Sequence, residues 1–441
     1  VSPKEYCVSN LPNIIYSLKD FYRKPLVIHQ GHMQWLFDHE GKRYLDLFAV
    51  FKFQHAFTAA LHQQIDTLWH TTSIYKHPKI YEYVEKLSAK FPGDLKVVYL
   101  VNSGSEANDL AILLARAYTG NHDVISLQSC YHGYASSLLG LTATQAYRFP
   151  MAAPSGFYHA MLPDPLRGIW GGCRDSLSQV PGACSCPGDC VTSDKYIHQL
   201  NEVKNSVPKG RIAAFFAETI QGVNGAVQFP KGYLRKAREL VKNYGGLYVA
   251  DEVQTGFGRT GDNFWGFQDH GIQPDIVTLA KGIGNGFPLA AVVTTKEIAD
   301  AHQKASYFNT FGGNPLAASV GKAVLDVIEE ENIQQNSKIV GKYFIEQLME
   351  LQKSYPVIGD VRGKGLMLGV ELVRPGTKDP LEVKDVADIL EMAKDLGVMI
   401  GRGGRWNNVL RIKPPMCINK EDVDFAISVM DKVFKVFHEK N

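Results

Sequence analysis

Lys281 lies where an apolar run gives way to a glycine-rich turn, in Pro274-Asp275-Ile276-Val277-Thr278-Leu279-Ala280-Lys281-Gly282-Ile283-Gly284-Asn285-Gly286. Asp275 to Leu279 reads as a short buried strand, and the glycines allow close backbone approach to whatever the lysine meets. Thirty positions earlier a second run, Leu247-Tyr248-Val249-Ala250, ends in Asp251-Glu252-Val253-Gln254. Ligands of an open parallel sheet collect at the carboxyl ends of its strands, so Asp251 and Lys281 are expected to face one crevice. That pair suits pyridoxal phosphate: a lysine amine forms a Schiff base with the cofactor aldehyde, and an aspartate keeps the pyridine nitrogen protonated so that the ring accepts electrons. Each residue alone has a plainer reading, a solvated loop lysine and a turn or cap aspartate.

A phosphate site upstream strengthens the pair. Lys96 to Val101 is a β-branched and aromatic run, Asn102-Ser103-Gly104-Ser105 is a turn, and Glu106 to Tyr118 has helical apolar spacing. Free amides at that helix start, with the Ser103 and Ser105 hydroxyls beside Gly104, can hold a phosphate without a lysine. Without the other two residues, Ser-Gly-Ser would be an ordinary serine cap.

The elements that must position these groups alternate. Val124 to Leu127, Ala213 to Ala217 and Leu247 to Ala250 read as buried strands separated by helical segments, which predicts an α/β chain with a mostly parallel sheet covered by helices. The expected division is an N-terminal segment, 1–57, with a hairpin at Gln34–Phe37 and Arg43–Leu47, then a large domain, 58–325, and a smaller α+β domain, 326–441. A long helix is expected over Ala323 to Gln352, strands near Val357 to Val361 and Leu366 to Val373, helical spacing near Val383 to Asp395, and a last helix from about Glu421. The 441 residues carry 47 basic and 45 acidic side chains with no obvious basic block, so nucleic acid is not an expected partner. No apolar stretch approaches the roughly 18 residues of a membrane helix. Val1 to Asp20 shows neither a signal-peptide core nor an Arg-rich amphipathic pattern.

Cysteine use is uneven. Cys173, Cys184, Cys186 and Cys190 share one Gly/Pro-rich stretch, while Cys7, Cys130 and Cys417 are scattered. The four could supply thiolates to zinc, but the spacing departs from a standard knuckle, and reduced loop thiols with no metal are the expectation.

Four segments then carry a resemblance. Val101-Asn102-Ser103-Gly104-Ser105-Glu106-Ala107-Asn108, Tyr131-His132-Gly133, the run from Ala250 to Arg259, and Thr310-Phe311-Gly312-Gly313-Asn314-Pro315 resemble, in order and spacing, the class III aminotransferases of fold type I. The likeness covers nearly the whole chain. Gln30-Gly31-His32-Met33, Trp170-Gly171-Gly172, Phe264-Trp265-Gly266-Phe267 and Met416-Cys417-Ile418 are similar to a mitochondrial branch of that family that moves amino groups from alanine to glyoxylate.

The resemblance implies pyridoxal 5′-phosphate as cofactor, small amino and oxo acids as partners, a homodimer or tetramer, and a mitochondrial location. It makes Lys281 the Schiff-base lysine and the proton-moving base, Asp251 the partner of the ring nitrogen, and Gln254 a neighbour of the phenolic oxygen. Tyr131 resembles the aromatic that stacks on the ring, with His132 beside it as cofactor contact or hydrogen-bonded scaffold. Thr310 is implied to reach the phosphate held by the other subunit. Arg411, in Val409-Leu410-Arg411-Ile412-Lys413-Pro414-Pro415, is implied to bind the substrate carboxylate, and Glu218 to pair with that arginine or release it. β-Aminoisobutyrate and methylated arginines are further implied donors. A lyase or racemase on the same scaffold is the alternative reaction.

Two departures from the family stand out. Thr219 replaces a usual proline, a change expected to be mild because it spares Glu218. The stretch 48–57 is shorter than the family's glycine-containing pocket loop, which leaves open altered substrate binding, or a protein that binds without turnover.

Overall fold

The computed structural model describes residues 21–440 except 25, 49–54, 73 and 305, so most of the altered 48–57 stretch and Cys7 fall outside the described residues. The first strands, β1 (Ile28–His32), β2 (Trp35–Asp38) and β3 (Arg43–Asp46), form an antiparallel meander. The β2–β3 turn is held by Asp38, whose Oδ1 accepts from the amides of Glu40 and Lys42 at 3.0 and 2.9 Å, and Gly41 takes the left-handed φ of 83° that the turn requires.

Seven strands follow: β4 (Val97–Val101), β5 (Asp123–Leu127), β6 (Phe157–Ala160), β7 (Ile212–Glu218), β8 (Leu247–Asp251), β9 (Ile276–Leu279) and β10 (Ala290–Thr294). They form one sheet in the order β4-β10-β9-β8-β7-β5-β6. Only β10 runs against its neighbours; the other adjacent pairs are parallel. Every residue of β7 is buried, as expected of a central strand covered on both faces. Its side chains alternate between two cores. Phe215 packs into one with Tyr248, and Phe216 into the other with Leu110 and Val249. Burying each ring contributes roughly 1.5–3 kcal/mol.

On the Phe216 side the helix Gly104–Thr119 buries Ala107, Leu110, Ala111, Leu114 and Ala115, the three- and four-residue spacing of one helical face. A capping box starts it: Ser103 Oγ accepts from the Glu106 amide at 3.2 Å, and Glu106 Oε2 accepts from the amides of Asn102 and Ser103 at 2.6 and 2.9 Å. The helix position next to β4 is thereby pinned at the site's edge.

The C-terminal part holds β11 (Ile358–Lys364), β12 (Met367–Leu372), β13 (Val398–Met399), β14 (Gly401–Gly403) and β15 (Val409–Ile412). Four of these form an antiparallel sheet, β11-β12-β15-β14, while β13 pairs in parallel with β3 and joins the N-terminal meander to this end of the chain. One sequence expectation needs correction. The single helix over 323–352 is two helices, Pro315–Glu330 and Ile333–Ser354, broken where Asn332 adopts φ 51°, a left-handed conformation that asparagine tolerates better than most residues. Residue 325 lies inside the first of them. No helix among the described residues is long and apolar enough to cross a membrane.

Candidate active site

The carboxyl ends of β4, β5, β7, β8 and β9 open on one side of the large sheet. They bring Ser103, Gly104, Ser105, Tyr131, His132, Glu218, Asp251, Gln254 and Lys281 to the wall of a single cavity, together with Asn108. Thr310 is not among them. It is exposed, on a segment whose Asn309 Oδ1 accepts from Asn102 Nδ2 at 3.1 Å.

Lys281 begins the turn after β9 with φ 49°, a strained backbone for a side chain with a Cβ. Burial lowers the proton affinity of its amine; the Asp251 and Glu218 carboxylates oppose that shift, and Arg411 adds to it. Asp251 ends β8 and is buried. Its Oδ2 accepts from Asn108 Nδ2 at 2.9 Å and faces His132 Nδ1 at 2.7 Å, and its Oδ1 accepts from the Val253 amide at 3.0 Å. A carboxylate held by three donors cannot rotate away. His132 is fully enclosed, and its amide donates to Thr142 Oγ1 at 3.1 Å. Burial works against a charged imidazole there, but Cys130 and the Asp251 carboxylate outweigh it, and its pKa stands well above the ordinary histidine value.

Glu218 ends β7. Its Oε1 accepts from the Tyr131 amide at 3.2 Å and its Oε2 from the Gly222 amide at 2.8 Å, while burial raises its proton affinity. Gly222 lies against Gln254: a Cβ there would fall 2.5 Å from Gln254 Nε2 and displace that side chain. Gln254 Oε1 in turn accepts from Arg411 Nη2 at 3.3 Å and Lys413 Nζ at 3.0 Å. Glu218 and Arg411 feel each other's charge but form no ion pair among the described residues. Thr219, the proline replacement, donates to Glu252 Oε1 at 2.6 Å, and Glu252 also accepts from Thr255 and from the amides of Gly266 and Phe267. The threonine therefore serves a buried carboxylate, which a proline could not.

The donor set fits pyridoxal phosphate. The first amides of a helix have no intrahelical partner, so those of Gly104 and Ser105 are available at the cavity wall. Ser103 Oγ and Ser105 Oγ each accept from a backbone amide, Glu106 and Tyr134, and so keep their own protons to donate. A fixed carboxylate, a desolvated lysine and an aromatic ring complete what the cofactor's ring nitrogen, aldehyde and face require.

A family model described as aminotransferase class III matches residues 19–434. The chain belongs to the class III aminotransferases. It is a pyridoxal-phosphate-dependent transaminase of the α/β fold type I. It is 50% identical over 420 residues to the human protein named alanine–glyoxylate aminotransferase 2, mitochondrial, covering 93% of this chain and 82% of that protein. Among solved structures it is similar to a phospholyase from Arthrobacter in complex with phosphoethanolamine, with a TM-score of 0.84 and 31% identity over 94% of this chain and 95% of that one. A PLP-bound amine transaminase from an uncultivated Pseudomonas species gives a TM-score of 0.85 at 29% identity, with 94% and 95% covered.

Two residues at this aminotransferase site had no role in the sequence reading. Asn108 lies one helical turn beyond Gly104, on the same face, and that spacing was a usable signal. Lys413 lies two positions past Arg411 where the strand runs out, which puts both on one side of it. Lys413 is buried, and desolvation, reinforced by Lys281 and Arg411, holds its amine well below the ordinary lysine pKa.

Proposed function

We propose that this transaminase takes its amino group from alanine and gives it to glyoxylate, releasing pyruvate and then glycine in a ping-pong cycle. The observation that carries the reading is Arg411, a buried guanidinium with no carboxylate partner among the described residues, one hydrogen bond from the Lys281 cavity through Gln254. Its planar fork matches a carboxylate in two bonds, and amino and oxo acids both present one.

Bound pyridoxal phosphate supplies an aldehyde for the amino group and a ring that takes up electron density when a proton leaves the substrate α-carbon. The amides of Gly104 and Ser105, with the Ser103 and Ser105 hydroxyls, would hold the phosphate. Asp251, fixed by Asn108 and His132, would keep the ring nitrogen protonated. Tyr131 would exclude water from the ring, and Gln254, anchored by two cations, would serve the phenolic oxygen. Lys281 Nζ, its proton affinity lowered by burial, would move a proton between the substrate α-carbon and the cofactor's C4′ carbon. Glu218, held by two backbone amides, can turn to Arg411 when a donor carries its carboxylate farther away. That motion admits β-aminoisobutyrate, and by likeness methylated arginines.

Two protomers complete the site. Thr310 stands exposed between Phe308 and Phe311, with Trp69, Ile74 and Tyr75 also exposed, an apolar surface that a second copy would cover while Thr310 reaches the partner's phosphate. The name of the human relative supports a mitochondrial location. The proposed division is an N-terminal segment, 1–57, a large cofactor-binding domain, 58–325, and a small domain, 326–441, with the pairing of β3 and β13 supporting assignment of the N-terminal meander to the small domain.

The deciding experiment mixes the purified protein with alanine and glyoxylate and follows pyruvate. The likeness to the Arthrobacter phospholyase gives elimination as a second reading. Phosphate release from phosphoethanolamine, with no pyruvate from alanine, would establish that reading in place of transamination.

A further inference from the structure

The connection between β6 and the helix Val191–Ser206 runs through 161–190 with no helix or strand beyond an isolated bridge at Arg174. Irregular segments longer than about 15 residues are uncommon in a compact domain unless something holds them. At the end of this one, four side chains converge. The Sγ atoms of Cys173, Cys184, Cys186 and Cys190 all lie within 4.8 Å of one another. Thiolates at tetrahedral corners about 2.3 Å from a zinc ion stand about 3.8 Å apart, so the cluster needs only sub-ångström adjustment to close on one. The cysteines are free, with the Cys184 and Cys190 sulfurs 3.3 Å apart.

We propose that these four cysteines form a structural zinc site. The surroundings are those of a thiolate cluster. The Cys173 amide donates to Cys190 Sγ at 3.2 Å, the contact by which outer groups orient a bound sulfur. Cys190 is the N-cap of the sixteen-residue helix Val191–Ser206 and makes no capping bond of its own, which places its sulfur at the positive end of the helix. Lys231 Nζ donates to the Cys186 carbonyl. On binding, four thiols release four protons and the divalent ion leaves a net charge of two minus, which the helix terminus and the lysine offset. Two ligands are buried and two half-exposed, so the ion can enter from solvent, while four protein ligands leave no position for substrate.

The site has a mechanical consequence. The residue after Cys173 is Arg174, whose guanidinium makes two bonds to Asp360 of β11, at 2.9 and 2.7 Å, and one to the Val361 carbonyl at 2.8 Å. A metal that fixes the loop therefore also fixes the bond between the large sheet's side of the chain and the small sheet, away from the cofactor.

The test uses the holoenzyme purified under reducing conditions without chelator, with elemental analysis for zinc, iron and copper. Zinc equimolar with the chain is expected. It should be lost from Cys184→Ser and from Cys186→Ser but kept by Cys417→Ser, a thiol outside the cluster. The absorption of the bound cofactor, unchanged in all three, reports that the variants fold. Exchange with cobalt should produce the intense visible bands of a tetrahedral thiolate site, and chelation should lower the melting temperature by several degrees. Metal-free reduced thiols, disulfides among the four cysteines in the native protein, or equimolar iron in place of zinc would each overturn the proposal.

Discussion

Two clusters of buried charge in this protein are built to opposite rules. Between the large and small sheets, Arg174 meets Asp360 in two bonds, Arg362 Nη1 bridges Asp360 Oδ2 at 2.9 Å and Glu371 Oε2 at 2.7 Å, and Arg167 Nε reaches Glu371 Oε1 at 2.7 Å. Each of these guanidiniums has a carboxylate. Burial opposes ionisation of Asp360, but Arg174 and Arg362 together outweigh it and hold the carboxyl below its usual pKa. At the cofactor cavity the cations Lys281, Arg411 and Lys413 have no ion-pair partner among the described residues, and burial depresses the proton affinity of all three. Matched charges make a rigid joint. Unmatched ones store the electrostatic cost that a substrate carboxylate and a cofactor can relieve, which marks a place for chemistry.

The sharpest break in that contrast is Lys281→Ala. It removes the amine proposed to react, so turnover of alanine with glyoxylate should fall by several orders of magnitude. Thermal unfolding should not move to lower temperature, because the lost charge was not paired. Residual transamination near the parent rate would remove Lys281 from its role.

Arg174→Ala does the reverse. It removes both Arg174 bonds and leaves buried Asp360 with Arg362 alone, so denaturant melts should lose about 3–5 kcal/mol, while kcat measured at a temperature where the variant is folded stays close to the parent value. An unchanged melt would mean that the joint contributes nothing.

Arg411→Lys keeps the charge and loses the fork. KM for alanine and for glyoxylate should rise together, about ten- to a hundred-fold, since a charge-assisted contact contributes about 1.5–3 kcal/mol. An amine without a carboxylate serves as the control, and an equal loss on it would show that Arg411 acts through folding.

The smallest effect is expected from Lys413→Met. A lysine whose folded pKa is depressed binds fewer protons folded than unfolded between that value and 10.5, so its penalty is fully present below the window and fades as pH rises through it. The variant should therefore be more stable than the parent by about 1 kcal/mol at neutral pH, and the advantage should shrink toward the unfolded pKa of 10.5. Denaturant melts across that range check the sign. Catalysis should suffer modestly because Gln254 loses one of its two anchors.

Much of the site was legible because it sits at strand ends. Asp251 and Lys281 each end an apolar strand, so the rule that ligands collect at the carboxyl ends of strands brings them to one crevice, and Ser103 to Ser105 read as a phosphate site from the helix start that follows a third strand. Lys413 escaped because a lysine beside Pro414 reads as solvated; only the packing around β15 shows that it is enclosed. The break at Asn332 escaped because the apolar spacing continues across it, and one left-handed residue leaves no periodic trace. Cys173, Cys184, Cys186 and Cys190 were grouped by their shared stretch, but spacing that departs from a standard knuckle left reduced thiols as the expectation; only the folded loop shows the four sulfurs within 4.8 Å of one another.

The sequence by itself determined the alternation of strands and helices, the chemistry available at each strand end and the family. These depend on local runs and short motifs, which are read within a few residues. Tertiary structure decided which charges are matched and which are not. It set Glu218 on two backbone amides and left it unpaired with Arg411, put Gln254 between two cations, and gathered four thiols from an irregular loop. The physical reason is that the cost of a buried charge depends on what lies within a few ångströms of it, and those neighbours come from strands and loops far apart in the chain.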